Sequence, residues 1–424
     1  MFKHRFVIRQ TLIAFIGLAV VWRIGAVPYV EADDKHERGR MEDIMDVVAK
    51  DIQRNFYDPS LKGVDWKAIT ERARQRVRQA DHTNDMLAAI ASVPYQLNDS
   101  HTYFIPPGRW VSIDYGFEAE PFGKDILVYK MKKDGPAINA GVQLGDKIVA
   151  MGGFATKREN FFEMVRYFEI LSPASDLTLV IVRGNEPPRS ITIPAKVEYR
   201  NLMDYNEIRR MIDAREPIYK HRDYDGNVGY LKLRIFMPSV GDVDSMVNKV
   251  KSSGAVIIDL RGNRGGARET LTALAGSFTD QPYEMAKEVG RDKTEALRVK
   301  PQHPKIAVPV FVMIDNASAS ASEMFARDLQ IRKRATVIGD TSGGRVNMAK
   351  IFPENVGGFR FGTEIAVARV VMENGDELEN HGVTPDEFCI PTAQDLHQEK
   401  DPCLDRALEL ARAAASHPAQ QPQP

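Results

Sequence analysis

Two short, almost uninterrupted apolar runs limit the architecture of this chain more than any other feature. They are Ala255-Val256-Ile257-Ile258-Asp259-Leu260 and Val308 to Ile314. Each is too short for a typical helix, rich in β-branched residues and apolar on both sides, so each reads as a strand covered on both faces. Val228 to Phe236 reads as a further strand and Val243 to Val250 as a helix, with more helices after Gly266 and behind Ile314. Strands alternating with helices predict an α/β core with βαβ units over about 227–395. The full 424 residues leave room for further domains. With 43% hydrophobic and 27% charged residues, most of the chain is excluded from intrinsic disorder. The net charge of −1 gives no footing for nucleic acid or an anionic membrane surface as partner.

The other segments differ in pattern. Residues 38–105 read as a helical N-terminal region, a cap or scaffold: Met41, Ile44, Val47, Val48 and Ile52 recur near the helical period, and Tyr57-Asp58-Pro59 ends that run. A second helix follows Trp66 and a third runs from Met86 to Val93. Residues 197–226 read as a polar linker and 396–424 as a C-terminal helix with a disordered, proline-rich tail. At the N-terminus Lys3, His4, Arg5 and Arg9 precede the apolar run Thr11 to Trp22, which falls short of the ~20 residues of a spanning helix. This is the pattern of a secretory signal over 1–32, with small residues at Ala26 and Ala32 for cleavage. The rival reading is an uncleaved anchor extended by Val7 and Ile8, the one route to a membrane. Export to a periplasmic or extracellular space is expected. There Cys389 and Cys403 would pair, closing a loop of about 15 residues worth roughly 3 kcal/mol; the alternative is two buried thiols.

Between 108 and 196 short strands alternate with glycine turns. Ile126 to Tyr129 is strand-like, Phe161 to Leu171 reads as a helix, and Leu177 to Val182 with Ser190 to Ile193 forms a hairpin. The spacing Gly135-Pro136-Ala137, Ala140-Gly141-Val142, Gly145-Asp146-Lys147-Ile148 resembles that of a PDZ domain. Such a domain adds a peptide as an extra strand and holds its terminal carboxylate on backbone N–H groups. Tyr115, Gly116 and Phe117 fall where that carboxylate loop would be; a plain turn is the alternative.

Chemistry concentrates in Asn316-Ala317-Ser318-Ala319-Ser320-Ala321-Ser322-Glu323. A serine at a strand-to-helix turn meets free N–H groups that favour developing negative charge. The plainer reading of Ser320-x-x-Glu323 is a capping box. The turn Arg261-Gly262-Asn263-Arg264-Gly265-Gly266 ends a strand, where α/β proteins place ligands. The N–H of Ala321 with one from Gly265 or Gly266 would form an oxyanion hole. No Gly-Lys-Ser/Thr follows, which argues against a nucleotide loop. Serine needs a base. Among the nine histidines no pair has metal-ligand spacing, and neither metal nor other cofactor is expected. His101 and His381 both sit in loops, and residue pattern leaves the choice between them open.

The Ser-Ala-Ser-Ala-Ser-Glu stretch, the Asp-Leu-Arg-Gly-Asn-x-Gly-Gly turn and Gly382-Val383-Thr384-Pro385-Asp386, with the PDZ-like insert, resemble the C-terminal processing peptidases over about 40–390. The resemblance implies a serine peptidase with Ser320 as nucleophile. The family's Ser/Lys branch carries a Gly-Lys element where this chain has Gly344-Arg345, and arginine does not release its proton at neutral pH. The chain is instead similar to the tricorn-like branch, which implies Ser100 and His101 ahead of the PDZ-like domain and Glu379 before the Gly-Val-Thr-Pro-Asp segment. His101 would be the base, Glu379 would orient it and Ser100 would support the charge network. The expectation is an exported serine endopeptidase acting on proteins or peptides, with an oligomer compatible with it. The alternatives are a non-catalytic peptide-binding scaffold of the same fold and a Ser/Lys peptidase using Lys350.

Overall fold

The computed structural model describes residues 35–108, 111–199, 217–237 and 239–416. The expected signal at 1–32, most of the expected linker and the tail beyond 416 lie outside them. Among the described residues no helix is long and apolar enough to cross a membrane. The chain folds as two compact units, one of residues 1–215, 290–292 and 348–368, the other of 216–289, 293–347 and 369–424.

The first unit begins with α1 (Lys35–Asn55), α2 (Trp66–Gln79) and α3 (Thr83–Tyr95). Met41, Ile44, Val48 and Ile52 lie on one face of α1 and are fully or almost fully buried with Val77 of α2 and Ile90 of α3. Asp65 caps α2 by accepting the Ala68 N–H at 2.9 Å. β1 (Tyr103–Ile105) follows. Next come β2 (Val111–Asp114), β3 (Phe117–Phe122), β4 (Asp125–Met131), α4 (Pro136–Asn139), β5 (Lys147–Met151), β6 (Phe154–Ala155) and α5 (Phe161–Arg166). A π-helical turn, Tyr167–Leu171, continues α5. β7 (Asp176–Val182), β8 (Arg189–Pro194) and β9 (Lys196–Tyr199) complete this stretch. The antiparallel sheet runs β3-β4-β5-β7-β8, with β6 on β5 and a separate β2–β9 ribbon. Its core contains Ile126, Val128, Ile148, Phe168, Leu179 and Ile181.

The second unit starts on β10 (Tyr219–Tyr224) and β11 (Val228–Leu233), followed by α6 (Val240–Val250), β12 (Ala255–Asp259) and α7 (Arg268–Gly276). A hairpin of β13 (Tyr283–Gly290) and β14 (Thr294–Val299) precedes β15 (Val310–Ile314), α8 (Ala321–Ile331) and β16 (Ala335–Gly339). After β17 (Met348–Val356) and β18 (Phe359–Met372) come β19 (Glu387–Phe388), α9 (Ala393–His397) and α10 (Pro402–Ser416). The sheet order is β10-β11-β12-β15-β16-β19; β10 is antiparallel to its neighbour and the other pairs are parallel. Every residue of β12 and β15 is buried. Alternation of side chains explains how. Val256, Ile258 and Val312 pack with Val243, Leu271 and Phe325 of α6, α7 and α8, while Ile257, Phe311 and Met313 pack with Ala407, Leu408 and Ala411 of α10. Cys389 and Cys403 are joined as a disulfide with Cα atoms 5.4 Å apart, so the free-thiol alternative does not hold.

Two boundaries differ from those read in the sequence. The compact units cut across the stretch 227–395, since 348–368 falls within the first unit. There β17 and β18 form a hairpin, β18 pairs with β1 in the register Tyr103↔Glu364, and Phe361, Ile365 and Ala366 enter the helical core. The stretch 197–226 is not merely a linker either, since β9 and β10 lie at its ends. In the sequence β17 is hard to see because a strand with one wet face lacks the continuous apolar run that marks a doubly covered strand.

Candidate active site

The parallel strands of the second unit deliver two loops at their C-terminal ends. After β15, Asp315 Oδ1 accepts the N–H groups of Ala317 (3.0 Å), Ser318 (2.9 Å) and, from the neighbouring loop, Gly262 (3.0 Å). Ser318 is fully buried and its hydroxyl donates to the Leu260 carbonyl at 2.8 Å. Ser322 is equally buried and donates to the Asn263 carbonyl at 2.8 Å. Ser320 alone of the three is partly exposed. Its backbone, φ 56° and ψ −119°, is one that a non-glycine residue holds only at a cost of about 1–3 kcal/mol. Such a turn lifts a serine hydroxyl out of the strand-to-helix junction.

Glu323 holds this turn. The Ser320 N–H donates to its Oε2 at 3.0 Å and to the Arg345 carbonyl at 2.7 Å. The same buried carboxylate accepts the Ser342 hydroxyl (2.6 Å) and the N–H groups of Gly344 (2.7 Å) and Arg345 (2.9 Å). Burial pushes the Glu323 carboxyl above its ordinary range, and these donors oppose that shift. Arg345, which stands where the Ser/Lys branch would carry its lysine, thus holds the turn through its backbone.

The second loop follows β12. Asp259 is fully buried and accepts from Tyr230 (2.7 Å) and Arg261 (2.8 Å), while Arg261 also grips Asp401 at 2.8 Å. Burial alone would raise the Asp259 carboxyl; the Arg261 guanidinium outweighs it and holds the group well below the usual carboxylate range. Gly265 and Gly266 have φ +95° and +145°. The Gly265 N–H donates to Asn263 Oδ1 at 2.9 Å, and its carbonyl accepts the Phe236 N–H at 2.8 Å. Gly266 abuts Phe236, whose carbonyl oxygen would lie 2.3 Å from an added Cβ. The N–H groups of Gly266 and Ala321 find no acceptor among the described residues. Of the two glycines put forward as oxyanion donors, Gly265 has its N–H committed elsewhere.

Glu379 lies in the same unit, its Oε2 accepting the Val346 and Asn347 N–H groups at 2.9 and 3.2 Å. Next to it Asn380, at φ 63°, donates its N–H to the Gly344 carbonyl at 2.7 Å. His381 is exposed.

Ser100 and His101 lie in the first unit, between α3 and β1. Ser100 Oγ is 2.9 Å from His101 Nδ1, and the His101 N–H donates to Asp99 Oδ1 at 3.1 Å. Thr102 donates to the same Asp99 oxygen at 2.9 Å and accepts the Ala366 N–H at 3.1 Å, which fixes the loop to β18. The Tyr103 hydroxyl donates to the buried Glu364 carboxylate, and the Arg166 guanidinium stacks over the Tyr103 ring at 4.0 Å. Burial pushes the Glu364 carboxyl up, with the nearby His101 opposing. Sequence reasoning did not find Glu364; only the strand register, which joins positions 103 and 364, reveals it. Lys350 is exposed on β17.

The expected carboxylate loop of the first unit needs correcting. The Gly116 N–H donates to Asp114 Oδ1 at 2.9 Å, its carbonyl accepts the Lys132 N–H at 2.9 Å, and the Tyr115 carbonyl accepts the Ala137 N–H at 3.0 Å. Tyr115 is buried in the core of its sheet. An anion at Gly116 would meet the Asp114 carboxylate rather than an open N–H.

The family model described as Peptidase family S41 matches residues 227–388, and that of the Tricorn protease C1 domain matches residues 40–90. The carboxy-terminal-processing protease of Bartonella bacilliformis is 28% identical over 283 residues, covering 64% of this chain and 60% of that protein. The chloroplastic carboxyl-terminal-processing peptidase 1 of Arabidopsis thaliana is 24% identical over 335 residues, covering 74% of this chain and 64% of that protein. The chain therefore spans less than two thirds of the length of either relative. The crystal structure of mature CPAF shares the fold, with a TM-score of 0.70 at 15% identity, covering 91% of this chain and 99% of that one. Over residues 227–388 the chain thus carries a Peptidase family S41 domain, over 40–90 it matches the Tricorn protease C1 domain, and it is similar to carboxyl-terminal-processing proteases.

Proposed function

We propose that the protein is an active endopeptidase that cuts protein or peptide substrates with Ser320 as its nucleophile. One observation carries this reading: of three clustered serines, two have buried hydroxyls committed to carbonyls. The third, Ser320, sits partly exposed on a strained turn, in a site where two N–H groups have no acceptor among the described residues. Ser320 Oγ attacks the scissile carbonyl carbon and its proton passes to His101 Nε2. The carbonyl oxygen, now negative, is received by the N–H groups of Gly266 and Ala321. The C–N bond breaks as His101 returns the proton to the leaving amine. A water repeats the attack on the acyl-enzyme, which releases the new carboxyl terminus and restores the Ser320 hydroxyl.

Ser100 supports His101 by holding Nδ1, which leaves Nε2 to act as base. Glu379 orients His101 and stabilises the imidazolium, and Ser100 supports the charge network. The six-stranded sheet of the first unit serves as a PDZ-like module that takes a peptide strand along β3, the end of its sheet order. The basic and apolar start of the sequence and the Cys389–Cys403 disulfide support export to an oxidising compartment.

The test is Ser320→Ala, which should abolish peptide cleavage and labelling by a serine-directed probe. Hydrolysis retained in Ser320→Ala would remove the assignment of the nucleophile, whereas a wild-type protein without hydrolysis would leave the peptide-binding scaffold. His101→Ala should be as inactive, whereas Lys350→Ala should keep activity; the reverse would establish a lysine base. Comparing protein termini in cells with active and Ser320→Ala protein would name the substrates.

A further inference from the structure

We infer that Asn263 is the positioning residue of the oxyanion hole, the group that selects which N–H of the glycine pair faces the substrate. The inference rests on the peptidase reading above and names a residue it did not use. Asn263 is fully buried, and its side chain is satisfied at both ends: Oδ1 accepts the Gly265 N–H at 2.9 Å, and Nδ2 donates to the Leu233 carbonyl at 2.8 Å. Its backbone carbonyl accepts the Ala319 N–H at 3.0 Å and the Ser322 hydroxyl at 2.8 Å. One residue thus joins β11, the glycine loop and both flanks of the nucleophile.

The consequence is directional. Two successive glycines give the loop more conformations than catalysis can use. Capture of the Gly265 N–H by Asn263 removes one donor from competition and fixes the peptide plane between Gly265 and its predecessor. The next N–H, that of Gly266, is then left without a partner among the described residues, as is that of Ala321. Preorganised donors of this kind act on the charge that develops in the transition state and little on the ground state. Asn263 therefore governs kcat rather than KM.

The test compares Asn263→Ala, Asn263→Leu and Asn263→Asp in the full-length protein. Leu and Asp match asparagine closely in size, but only Asp keeps an acceptor for the Gly265 N–H. Ala and Leu should lower kcat for a peptide substrate by about 100-fold or more, with KM changed less than threefold. Both should lose a comparable factor in affinity for a peptide boronate, while Asp keeps at least tenfold more kcat than Leu. Amide hydrogen exchange at 263–266 should rise in Ala and Leu. If Asn263→Ala does not fold, the Leu and Asp pair decides alone. Wild-type kcat in Ala or Leu, a loss carried by KM, or equal kcat in Leu and Asp at matched melting temperature would each overturn the inference. A wild-type protein as inactive as Ser320→Ala would overturn the peptidase reading itself.

Discussion

Gly265 lies so close to Ser320 that a Cβ added to the glycine would stand 2.6 Å from the serine Cβ, 2.8 Å from the Ala319 carbonyl oxygen and 2.9 Å from the Ala321 nitrogen. The glycine loop and the nucleophile turn therefore touch without an intervening side chain. Gly265→Ala should reduce kcat by about 100-fold or more, because the added methyl separates the two loops and φ +95° is unfavourable for alanine. Peptide hydrolysis alongside a melting curve checks this; full activity would show that the close approach is dispensable.

Ser318 and Ser322 should behave in the opposite way from Ser320. Each hydroxyl satisfies a carbonyl at 2.8 Å in a fully buried position. Ser318→Ala and Ser322→Ala should each cost about 1–3 kcal/mol of stability while leaving Ser320 reactive. Denaturant unfolding and probe labelling, measured together, distinguish a structural serine from a chemical one.

Glu323→Gln tests the clamp under the nucleophile. The carboxylate accepts donors from Ser320, Ser342, Gly344 and Arg345, and an amide would set its NH₂ against some of them. A loss of about 2 kcal/mol or more follows for each donor left buried without a partner. The denaturant midpoint should fall with an unchanged slope.

Arg261 gives the fold an acid-dependent component. Burial would raise the carboxyls of Asp259 and Asp401, but Arg261 holds both below their usual range. Depressed carboxyls stabilise the fold above the unfolded value of about 4 and lose that contribution as pH falls through their folded values. Arg261→Gln should therefore cost about 3 kcal/mol at pH 7, mostly through Asp259, which stays buried with only the more distant Lys232 ammonium, 3.6 Å away, to balance it; Asp401 is partly exposed and screened. The gap to wild type should close as pH drops below about 4. Urea unfolding at several pH values measures it, and a gap independent of pH would exclude the ion pair as its source.

Reduction of Cys389–Cys403 should lower stability by roughly 3 kcal/mol, the chain-entropy value for a loop of about 15 residues. Melting with and without reductant, and of Cys389→Ser with Cys403→Ser, provides the check.

The α/β core was legible because β12 and β15 are covered on both faces and so appear as unbroken apolar runs. The serine turn was legible because three small hydroxyl residues between a strand and a helix have few structural uses. Other features were hidden for physical reasons. β17 has a half-exposed, alternating pattern that local sequence does not distinguish from a loop. Glu364 gains meaning only from its pairing opposite Tyr103. Gly116 read as an open anion receptor because nothing local indicates that Asp114 turns back onto its N–H. The choice between Gly265 and Gly266 needed the orientation of one buried asparagine.

The β17–β18 hairpin has a consequence for biosynthesis. Phe361, Ile365 and Ala366 belong to the helical core of the first unit. By the time they leave the ribosome, five of the six strands of the second unit's sheet have already been made. The unit that begins first is thus completed only after most of the second has been made, and its half-built apolar surface has to wait for most of the chain to be translated. Neither unit can be cut out as a single continuous fragment, so proteolysis in vivo or truncation at the bench should leave exposed oily surface rather than a tidy domain.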